Sequence, residues 1–472
     1  MTETSKKRWI CRFAAASAGL LLCLANLFPL AAPLQIVAFL PLFLLASSLR
    51  IRLLDKIVAG FYMALFFILP QLIVLRFPVL VALFLMLDYI FVFILLAIAA
   101  TVLLKRPSLT GALVIGFFIA FIDWLNFTVI PFWGTAQSLS RPWSAYPYLI
   151  QFESLTGITA IIFVVVSLQA LAVWVFRRAE KMVGCLLTAA LIILTVAVIN
   201  IMILSQRPIG RIKVAAVGWT DEDLRTYGDL HSEMGFRKLF LEPVSMAAAR
   251  GAEIIVSPEM GFGIGVDQYD SWLETFKKIA DEQGVYLAVG CFGGANVNNR
   301  LMFVSPDGMV SDNYAKKHLS IFEDYNAGDG KPSIIDVHGL LIGCLICNDD
   351  NFTDISRSYG RQKVALIAVP TLDWPQVSNA HFQNTIHRAI ESRFAIVRAA
   401  QNGISAVISP AGKVLARLDH LKHGQGVVVA EVPVFQQKTL FSEFGHWFVF
   451  ISGCVFVSYM CRLVFLKKYN QC

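Results

Sequence analysis

Three reactive side chains lie in one stretch of the chain, and each comes at or soon after the end of an apolar, strand-like run. Glu259 ends the run IIVSPE, Lys316 lies in NYAKKHL, and Cys347 ends GLLIGCLIC. A carboxylate can act as a base, an ammonium can stabilise an oxyanion, and a thiolate is a nucleophile. Together these three residues, called the triad below, form a complete set for acyl transfer through a thioester.

Each triad residue has a simpler interpretation when it is considered alone. A lone cysteine is more often buried and structural than reactive, and Glu259 and Lys316 could be solvated loop residues. Cys347 precedes Asn-Asp-Asp and a predicted helix, whose amides would favour the thiolate. Cys344 and Cys347 also form a C-x-x-C pair, but a strand would point them to opposite faces, which argues against a redox or metal pair.

The elements that must position the triad alternate between strands and helices over residues 206–435. One helix-like run separates the first strand from the second, and another separates the second from the third, which predicts a layered α/β domain. The sequences SPDG and SPAG indicate hairpins, so some strands should pair antiparallel. The predicted strands are RIKVAAVGW, AEIIVSPE, VYLAVGCFG, RLMFVSP, LLIGCLICND, VALIAVP, ISAVISP and VVVAEVP.

The rest of the chain is unusually apolar. Of 472 residues, 57% are hydrophobic and only 15% are charged, a balance that indicates an integral membrane protein. A helix needs about 20 apolar residues to cross a bilayer, and eight runs approach or reach that length. They lie near 9–28, 34–49, 57–76, 79–104, 109–130, 155–176, 184–204 and 441–462. We therefore predict a membrane domain of seven spans at 1–205, the α/β domain at 206–435, and an eighth span with a tail at 436–472.

Basic residues predict how these spans are oriented. Every second loop or terminus carries a basic cluster, whereas the alternate loops carry the isolated Arg76 and Arg141. The clusters are Lys6, Lys7 and Arg8; Arg50, Arg52 and Lys56; Lys105 and Arg106; Arg177, Arg178 and Lys181; and Arg462, Lys467 and Lys468. The bias predicts a multi-pass protein with both termini in the cytoplasm and the α/β domain on the outer face. These clusters account for much of the net charge of +7. The sequence has no run of basic residues interleaved with aromatics, the pattern that would indicate nucleic-acid binding.

One predicted outer loop, residues 131–153, holds two Trp and two Tyr together with Arg141. Taken singly, the aromatics are typical of an interfacial belt. The length of the loop, and its predicted place on the same face as the α/β domain, favour a lipid-binding role beside the active site. Arg141 and Trp143 are the candidates for that role.

At the triad the α/β domain resembles the nitrilase, or carbon–nitrogen hydrolase, superfamily. IIVSPE, NYAKKHL and GCLICNDDNF resemble its three motifs in order. The resemblance implies an α-β-β-α sandwich, with Glu259 as general base, Lys316 as oxyanion stabiliser and Cys347 as nucleophile. It also implies a second carboxylate, for which the spacing from Lys316 points to Asp324, with Glu323 one residue earlier.

The whole arrangement, with this domain between the last two spans, resembles the apolipoprotein N-acyltransferase family. The loop sequence FWG at 132–134 supports the resemblance and adds Trp133 to the candidate substrate-binding residues, with Asn348 and Asp349 from the third motif. The resemblance implies a bacterial inner-membrane enzyme, a phospholipid acyl donor, a thioester intermediate and a diacylated apolipoprotein acceptor. We expect a monomer without cofactor, metal or nucleic acid.

Two departures from the family pattern keep other interpretations open. Ser257 stands where the family has Trp, and Asn348 stands where it has an aromatic residue after the cysteine. These positions favour a membrane-tethered amidase, in which water rather than an amine resolves the thioester. A non-catalytic scaffold is a third hypothesis, against which the complete triad argues.

Overall fold

A computed structural model describes residues 3–48, 52–105, 108–129, 133–177, 179–293 and 297–469. Of the residues named above, Arg50, Arg106, Phe132 and Arg178 lie outside this range, as do the side chains of Lys467 and Lys468. Contacts divide the chain into two compact units. The helical unit comprises Met1–Pro131, Gln137–Ile203 and His446–Cys472, and the α/β unit comprises Phe132–Ala136 and Leu204–Gly445.

The helical unit consists of long apolar helices. In the described part of the chain, eight helical segments are long and apolar enough to cross a membrane, which confirms the predicted number of spans. They are Ser5–Leu27, Pro29–Ser47, Leu53–Leu75, Val79–Leu103, Leu109–Val129, Thr159–Arg177, Met182–Leu204 and Trp447–Phe465. The segment between the fifth and sixth of them forms the short helical turns Gly134–Gln137, Arg141–Ala145, Pro147–Leu149 and Glu153–Thr156.

The second span is irregular because it begins with two prolines. A 3-10 helix at Pro29–Leu34 leads into the short helix Gln35–Ala38 and then Leu40–Ser48. Proline has no backbone N–H and is best tolerated at the start of a helix. The break places the polar side chain of Gln35 inside the unit, where its Nε2 donates to the carbonyl oxygen of Leu139 at 2.7 Å.

The α/β unit contains two sheets. In its described residues the strands are β1 Gly210–Gly218, β2 Ile254–Val256, β3 Phe262–Ile264, β4 Tyr286–Gly293, β5 Asn298–Val304, β6 Val310–Ala315, β7 Ile335–Val337, β8 Leu340–Cys344, β9 Leu366–Leu372, β10 Ala395–Gln401, β11 Ile404–Ile408, β12 Val414–Asp419 and β13 Gly426–Val434. The first sheet has the order β13-β1-β2-β4-β5-β6, with β3 beside β4, and the second has the order β12-β11-β10-β9-β8-β7. The hairpins predicted at SPDG and SPAG are present, since β5 pairs antiparallel with β6 and β11 with β12.

Helices cover the outer faces of the two sheets. They are Asp221–Tyr227, a continuous run formed by Glu233–Gly235, Phe236–Leu241 and Glu242–Ala249, then Tyr269–Gln283, Thr353–Arg361, Ser378–Ser392, His420–His423 and Leu440–Phe444. Ala215 and Val217 of β1 pack with Val244 and Phe276 of the helices on the first sheet. The intervening Val214 and Ala216 are also fully buried. A strand that is covered on both faces is apolar along its length, and this explains the continuous apolar run VAAVG at 214–218.

The two sheets meet at a parallel bridge between Trp219 and Gln401. The layers are therefore helix, sheet, sheet and helix, which confirms the predicted α-β-β-α sandwich in a chain that also has a multi-span helical unit. Four residues lie at or just after the ends of strands. Glu259 follows β2, Lys316 follows β6, Cys347 follows β8, and Leu372 ends β9. Strand ends in an α/β layer are where side chains can leave the core and face a crevice.

Candidate active site

Glu259 lies in the loop between β2 and β3 and is almost completely buried. Its Oε1 accepts a hydrogen bond from Lys316 Nζ at 2.7 Å and another from Asn299 Nδ2 at 2.6 Å. Its Oε2 accepts from the backbone N–H of Leu372 at 2.6 Å. Three donors, on β5, on β9 and directly after β6, therefore fix the orientation of this carboxyl group.

Lys316 directly follows β6 and has no exposed surface. Its backbone is held by Asn299, whose carbonyl oxygen accepts from the Lys316 N–H at 2.8 Å. Its Nζ lies 2.7 Å from Glu259 Oε1 and 2.6 Å from Glu323 Oε1. Burial alone would lower the pKa of Lys316, but Cys347, Glu259 and Glu323 raise it well above its usual value. The side chain is therefore an ammonium held between two carboxylates.

The carboxylate that joins Glu259 at Lys316 is Glu323, and not Asp324, to which the spacing pointed. Ser320 donates its backbone N–H to Glu323 Oε2 at 2.7 Å, which turns Glu323 back toward Lys316. Asp324 is exposed. The loop after Lys316 is irregular and tightens in a turn at residues 321–322, so counting along an extended chain places the wrong carboxylate beside the ammonium.

Cys347 begins a short 3-10 helix, Cys347–Asn351, three residues after β8 ends. Its backbone has a φ of 46°, in the left-handed region that L-residues rarely adopt. The thiol points to the carbonyl oxygen of Leu372 at 3.6 Å, and Leu372 is the same residue whose N–H binds Glu259. Cys347 is therefore brought to the same place as the other two triad residues.

The expectation that a helix N-terminus favours the Cys347 thiolate needs correction. Burial and the charge of Glu259 raise the pKa of Cys347 well above its usual value, and Lys316 opposes this only in part. The helix that starts at Cys347 has five residues and is of the 3-10 type, so it supplies a small dipole compared with a long α-helix. The cysteine is a neutral thiol at rest and needs a base before it can attack.

Asn348 and Asp349, expected to bind substrate, are held by hydrogen bonds within the α/β unit, and their contact with substrate stays a prediction. Asp349 has no exposed surface, and its Oδ2 accepts from Tyr314 Oη at 2.8 Å while its Oδ1 accepts from the His318 N–H at 2.7 Å. Burial raises the pKa of Asp349 to about 6. Asn348 donates to the carbonyl oxygen of His318 at 3.2 Å and accepts from Asn351 at 2.8 Å. These contacts tie the turn of the predicted nucleophile, residues 347–351 and called the nucleophile turn below, to the loop that carries Lys316.

Trp133 belongs to the α/β unit, together with the short segment that follows it. Gly134 in this segment has a φ of 48°, and a Cβ there would lie 2.3 Å from the carbonyl oxygen of Asn351. Thr135 Oγ1 lies 3.0 Å from that oxygen and 2.8 Å from Asn384 Oδ1. The segment therefore packs directly on the nucleophile turn. Trp133 is partly buried, and its contact with substrate stays a prediction.

Arg141 and Trp143 belong to the helical unit, and both are buried. Arg141 Nη2 donates to Asn26 Oδ1 at 2.8 Å, and Trp143 Nε1 donates to Gln35 Oε1 at 2.8 Å. Neither side chain is on the surface of the unit, where a lipid could contact it. Both hold the loop to the first two spans, a role that their position in the sequence does not distinguish from lipid binding.

Sequence reasoning missed several residues of the site. Asn299 bonds Glu259 and lies 3.0 Å from the hydroxyl of Tyr325. His381 contacts the carbonyl oxygen of Cys347 at 3.2 Å. Asn299 directly precedes the predicted strand RLMFVSP, and this place at a strand end is the signal that could have found it. A single histidine inside a predicted helix carries no such signal. Over the described ranges, no group of three or more His, Cys, Asp or Glu side chains is arranged to hold a metal ion.

Comparisons with known proteins identify families and relatives that this chain resembles. The carbon–nitrogen hydrolase family matches residues 209–436. The apolipoprotein N-acyltransferase of Rickettsia prowazekii is 25% identical over 368 residues, which cover 69% of this chain and 73% of that protein. The apolipoprotein N-acyltransferase of Geobacter metallireducens is 26% identical over 251 residues, 47% of each chain.

Among solved structures, an amidase from Nesterenkonia sp. aligns with 21% identity and a TM-score of 0.39, covering 47% of this chain and 90% of the amidase. The family match and the relatives confirm the resemblance that the three motifs indicated. Through residues 209–436 the chain belongs to the carbon–nitrogen hydrolase, or nitrilase, superfamily, and over most of its length it is a relative of the apolipoprotein N-acyltransferases.

Proposed function

We propose that the protein is an N-acyltransferase that moves an acyl chain from a phospholipid to a lipoprotein. The acceptor is the α-amino group of an N-terminal diacylglyceryl-cysteine, and the chain passes through a thioester on Cys347. The names of the relatives support this function, and the multiple spans support a membrane-bound substrate.

One observation carries the proposal at the level of chemistry. Lys316 Nζ is shared between Glu259 and Glu323 at 2.7 and 2.6 Å in a buried site, and Cys347 lies close enough for its thiolate, once formed, to interact with that ammonium. A buried charge cluster is costly unless the charges compensate one another. Groups whose pKa values are strongly perturbed by specific charged neighbours are typical of catalytic sites.

In the first half-reaction, Glu259 accepts the proton of the Cys347 thiol as Sγ attacks the ester carbonyl carbon of the phospholipid. The carbonyl oxygen becomes an oxyanion, which the Lys316 ammonium stabilises. When the tetrahedral intermediate collapses, the ester C–O bond breaks and the lysophospholipid oxygen takes the proton from Glu259. The products are an acyl-thioester on Cys347 and a lysophospholipid.

In the second half-reaction, the α-amino nitrogen of the acceptor attacks the thioester carbonyl carbon. Glu259 accepts a proton from the nitrogen, and Lys316 again stabilises the oxyanion. The C–S bond breaks, the amide forms, and Cys347 Sγ recovers a proton from Glu259. The two half-reactions use the same three groups, so the enzyme alternates between free and acylated forms.

The location of the enzyme belongs to the same proposal. The basic clusters favour both termini in the cytoplasm and the α/β unit outside the cytoplasmic membrane of a bacterium. Donor and acceptor are then held in the same leaflet as the site, which raises their effective concentration. We expect the monomer to be sufficient, because all groups used in the two half-reactions come from one chain.

The test is the intact mass of the detergent-purified protein after incubation with phosphatidylethanolamine of defined chains. We expect the mass to rise by one acyl chain, to return to its starting value with hydroxylamine, and to return with a diacylated lipopeptide that itself becomes triacylated. Cys347→Ala should not gain the acyl chain. Cys454→Ala is the matched control, because Cys454 lies exposed on the last span, and it should behave as wild type.

The amidase hypothesis is an outcome of the same experiment. Ser257 and Asn348, which favoured it, are both buried and hydrogen-bonded, so their types reflect local structure as well as substrate. Release of free fatty acid without triacylated lipopeptide would support hydrolysis over transfer. A wild-type protein that never gains an acyl chain would contradict the proposal.

A further inference from the structure

Cys347 is held in an unfavourable backbone conformation by contacts outside the triad. Its φ of 46° places the residue in the left-handed region, where the Cβ of an L-residue crowds the following carbonyl oxygen. Such conformations persist only where the surroundings over-determine them, and they concentrate at functional sites. The contacts that hold this turn are therefore part of how the thiol is aimed.

The carbonyl oxygen of Cys347 faces His381, on the helix Ser378–Ser392. His381 Nε2 lies 3.2 Å from that oxygen and 2.8 Å from Asp350 Oδ1. His381 Nδ1 lies 2.7 Å from Asp373 Oδ1. Asp350 belongs to the nucleophile turn, and Asp373 follows β9. One buried imidazole therefore joins the main chain of the nucleophile, the turn and the end of the neighbouring strand.

The groups around the ring decide its charge. Asp350 and Asp373 are buried and face opposite sides of it, and the guanidinium of Arg398 approaches Nδ1 to 3.1 Å while it binds both oxygens of Asp373 at 2.9 Å. The contact between Nδ1 and Asp373 is the shorter one, so we assign Nδ1 as a donor. Burial lowers the pKa of His381, but the two carboxylates raise it to about 9.

Asp350 is itself fixed by further contacts. Thr385 Oγ1 donates to Asp350 Oδ2 at 2.6 Å, and Asn384 donates to the carbonyl oxygen of Asp350 at 3.0 Å. Both come from the helix that carries His381. The helix therefore contacts the nucleophile turn at two adjacent residues. It binds the carbonyl group of Cys347, and it binds both the side chain and the backbone of Asp350.

We propose that His381 is a positioning residue, whose Nε2–H is shared between Asp350 Oδ1 at 2.8 Å and the carbonyl oxygen of Cys347 at 3.2 Å and so holds the thiol toward Glu259 and Lys316. The proposal rests on the proposed role of Cys347 as nucleophile, and it extends that role to a residue behind the triad. His381 does not touch the reacting atoms. Its effect passes through the backbone of the turn.

The experiment compares His381→Gln with His420→Gln. His420 is also buried, but its nitrogens lie 2.8 Å from Ser405 Oγ and 2.8 Å from the carbonyl oxygen of Gly424. Its replacement therefore reports the general effect of losing a buried histidine. Two rates are measured at pH 7 and related to the amount of folded protein: acylation of Cys347 by phosphatidylethanolamine, and alkylation of Cys347 by iodoacetamide, located by peptide mass.

We expect His381→Gln to slow both rates at least tenfold, because a displaced thiol no longer delivers its proton to Glu259, and His420→Gln to stay within threefold of wild type. The acylation rate of wild type should fall as the pH rises through about 9, because His381 loses its proton. That alkaline limb should be absent in His381→Gln and retained in His420→Gln.

Unchanged or faster alkylation of Cys347 in His381→Gln would overturn the positioning role, as would an alkaline limb that this variant retains. Failure of the proposed function has a different signature, since wild type would then be alkylated at Cys347 but never acylated. In that case the alkylation rates of the two variants still decide whether His381 positions the thiol.

Discussion

Buried polar side chains occur in both units, but their partners differ. In the helical unit, Asp123 accepts from Ser138 Oγ at 2.6 Å and from the Leu139 N–H at 2.9 Å, and Arg141 donates to an asparagine. In the α/β unit, Lys316 lies between two carboxylates and His381 between two others. The first set pairs charges with neutral groups, and the second pairs charges with opposite charges.

The difference separates structural from chemical roles. A charged side chain that binds neutral groups holds a loop in place and satisfies backbone groups that burial would otherwise leave unpaired. Charges of opposite sign held close together in a dry site shift one another's pKa, which is what proton transfer and oxyanion stabilisation require. Three predictions test this comparison, and they are given from the largest effect to the smallest.

Glu323→Gln should slow acylation of Cys347 by about 30- to 100-fold, the loss expected when a charge-assisted hydrogen bond is weakened at a reacting group. Of the two carboxylates that bind Lys316, only Glu259 would remain in this variant. Asp324→Asn is the control, because Asp324 is adjacent but exposed, and it should stay within threefold. The rates come from intact-mass time courses. Equal losses in the two variants would contradict the assignment of Glu323 as the second carboxylate.

Arg141→Met should lower the free energy of unfolding by about 1–3 kcal/mol, since it leaves Asn26 without the guanidinium that donates to it. Trp143→Phe, which removes only the indole N–H donor to Gln35, should cost less. Thermal unfolding in detergent measures both. Acylation per folded molecule should stay within threefold of wild type. A loss of lipid turnover in protein of unchanged stability would restore the lipid-binding interpretation of this loop.

Asp354 tests the role of burial in this comparison, because it has charged partners but is about half exposed. Partial burial acts to raise its pKa, but His318 and Lys317 bind it at 2.9 and 2.5 Å and hold the pKa well below its usual range. Solvent screens such a pair, so Asp354→Asn should destabilise the protein by only a few tenths of a kcal/mol at pH 7.

The pH dependence of that small effect has a definite sign. A depressed carboxyl pKa adds stability above the unfolded value of about 4, and this stability is lost as the pH falls toward the folded value. The difference between wild type and Asp354→Asn should therefore shrink below about pH 4 in denaturant or thermal unfolding. A difference that stays constant between pH 7 and pH 3 would show that charge pairing is not its cause.

Local patterns were enough to predict a large part of this protein. Span length and hydropathy predicted the eight membrane-crossing segments, because the bilayer imposes a minimum apolar length on every one of them. Strand-like runs and turn sequences predicted the layered domain and both hairpins, because turn chemistry is local. The motifs around Glu259, Lys316 and Cys347 predicted which residues meet, since each follows the end of a strand.

The tertiary structure decided the details that depend on distant partners. Sequence spacing favoured Asp324, but a turn at residues 321–322 brings Glu323 to Lys316. The order of residues could not show that the segment after Trp133 packs on the nucleophile turn, or that Arg141 binds Asn26, more than one hundred positions away.

Residue type and local spacing thus determined the spans and the layers, and they predicted the triad, because each depends on periodicity or on neighbours within a few residues. Only the folded chain decided the raised pKa of Cys347, which of two neighbouring carboxylates contacts Lys316, and the contact of His381 with the carbonyl oxygen of Cys347. These depend on burial and on the charges that strands and helices from separate parts of the sequence bring together, and a pKa is set by that assembled environment.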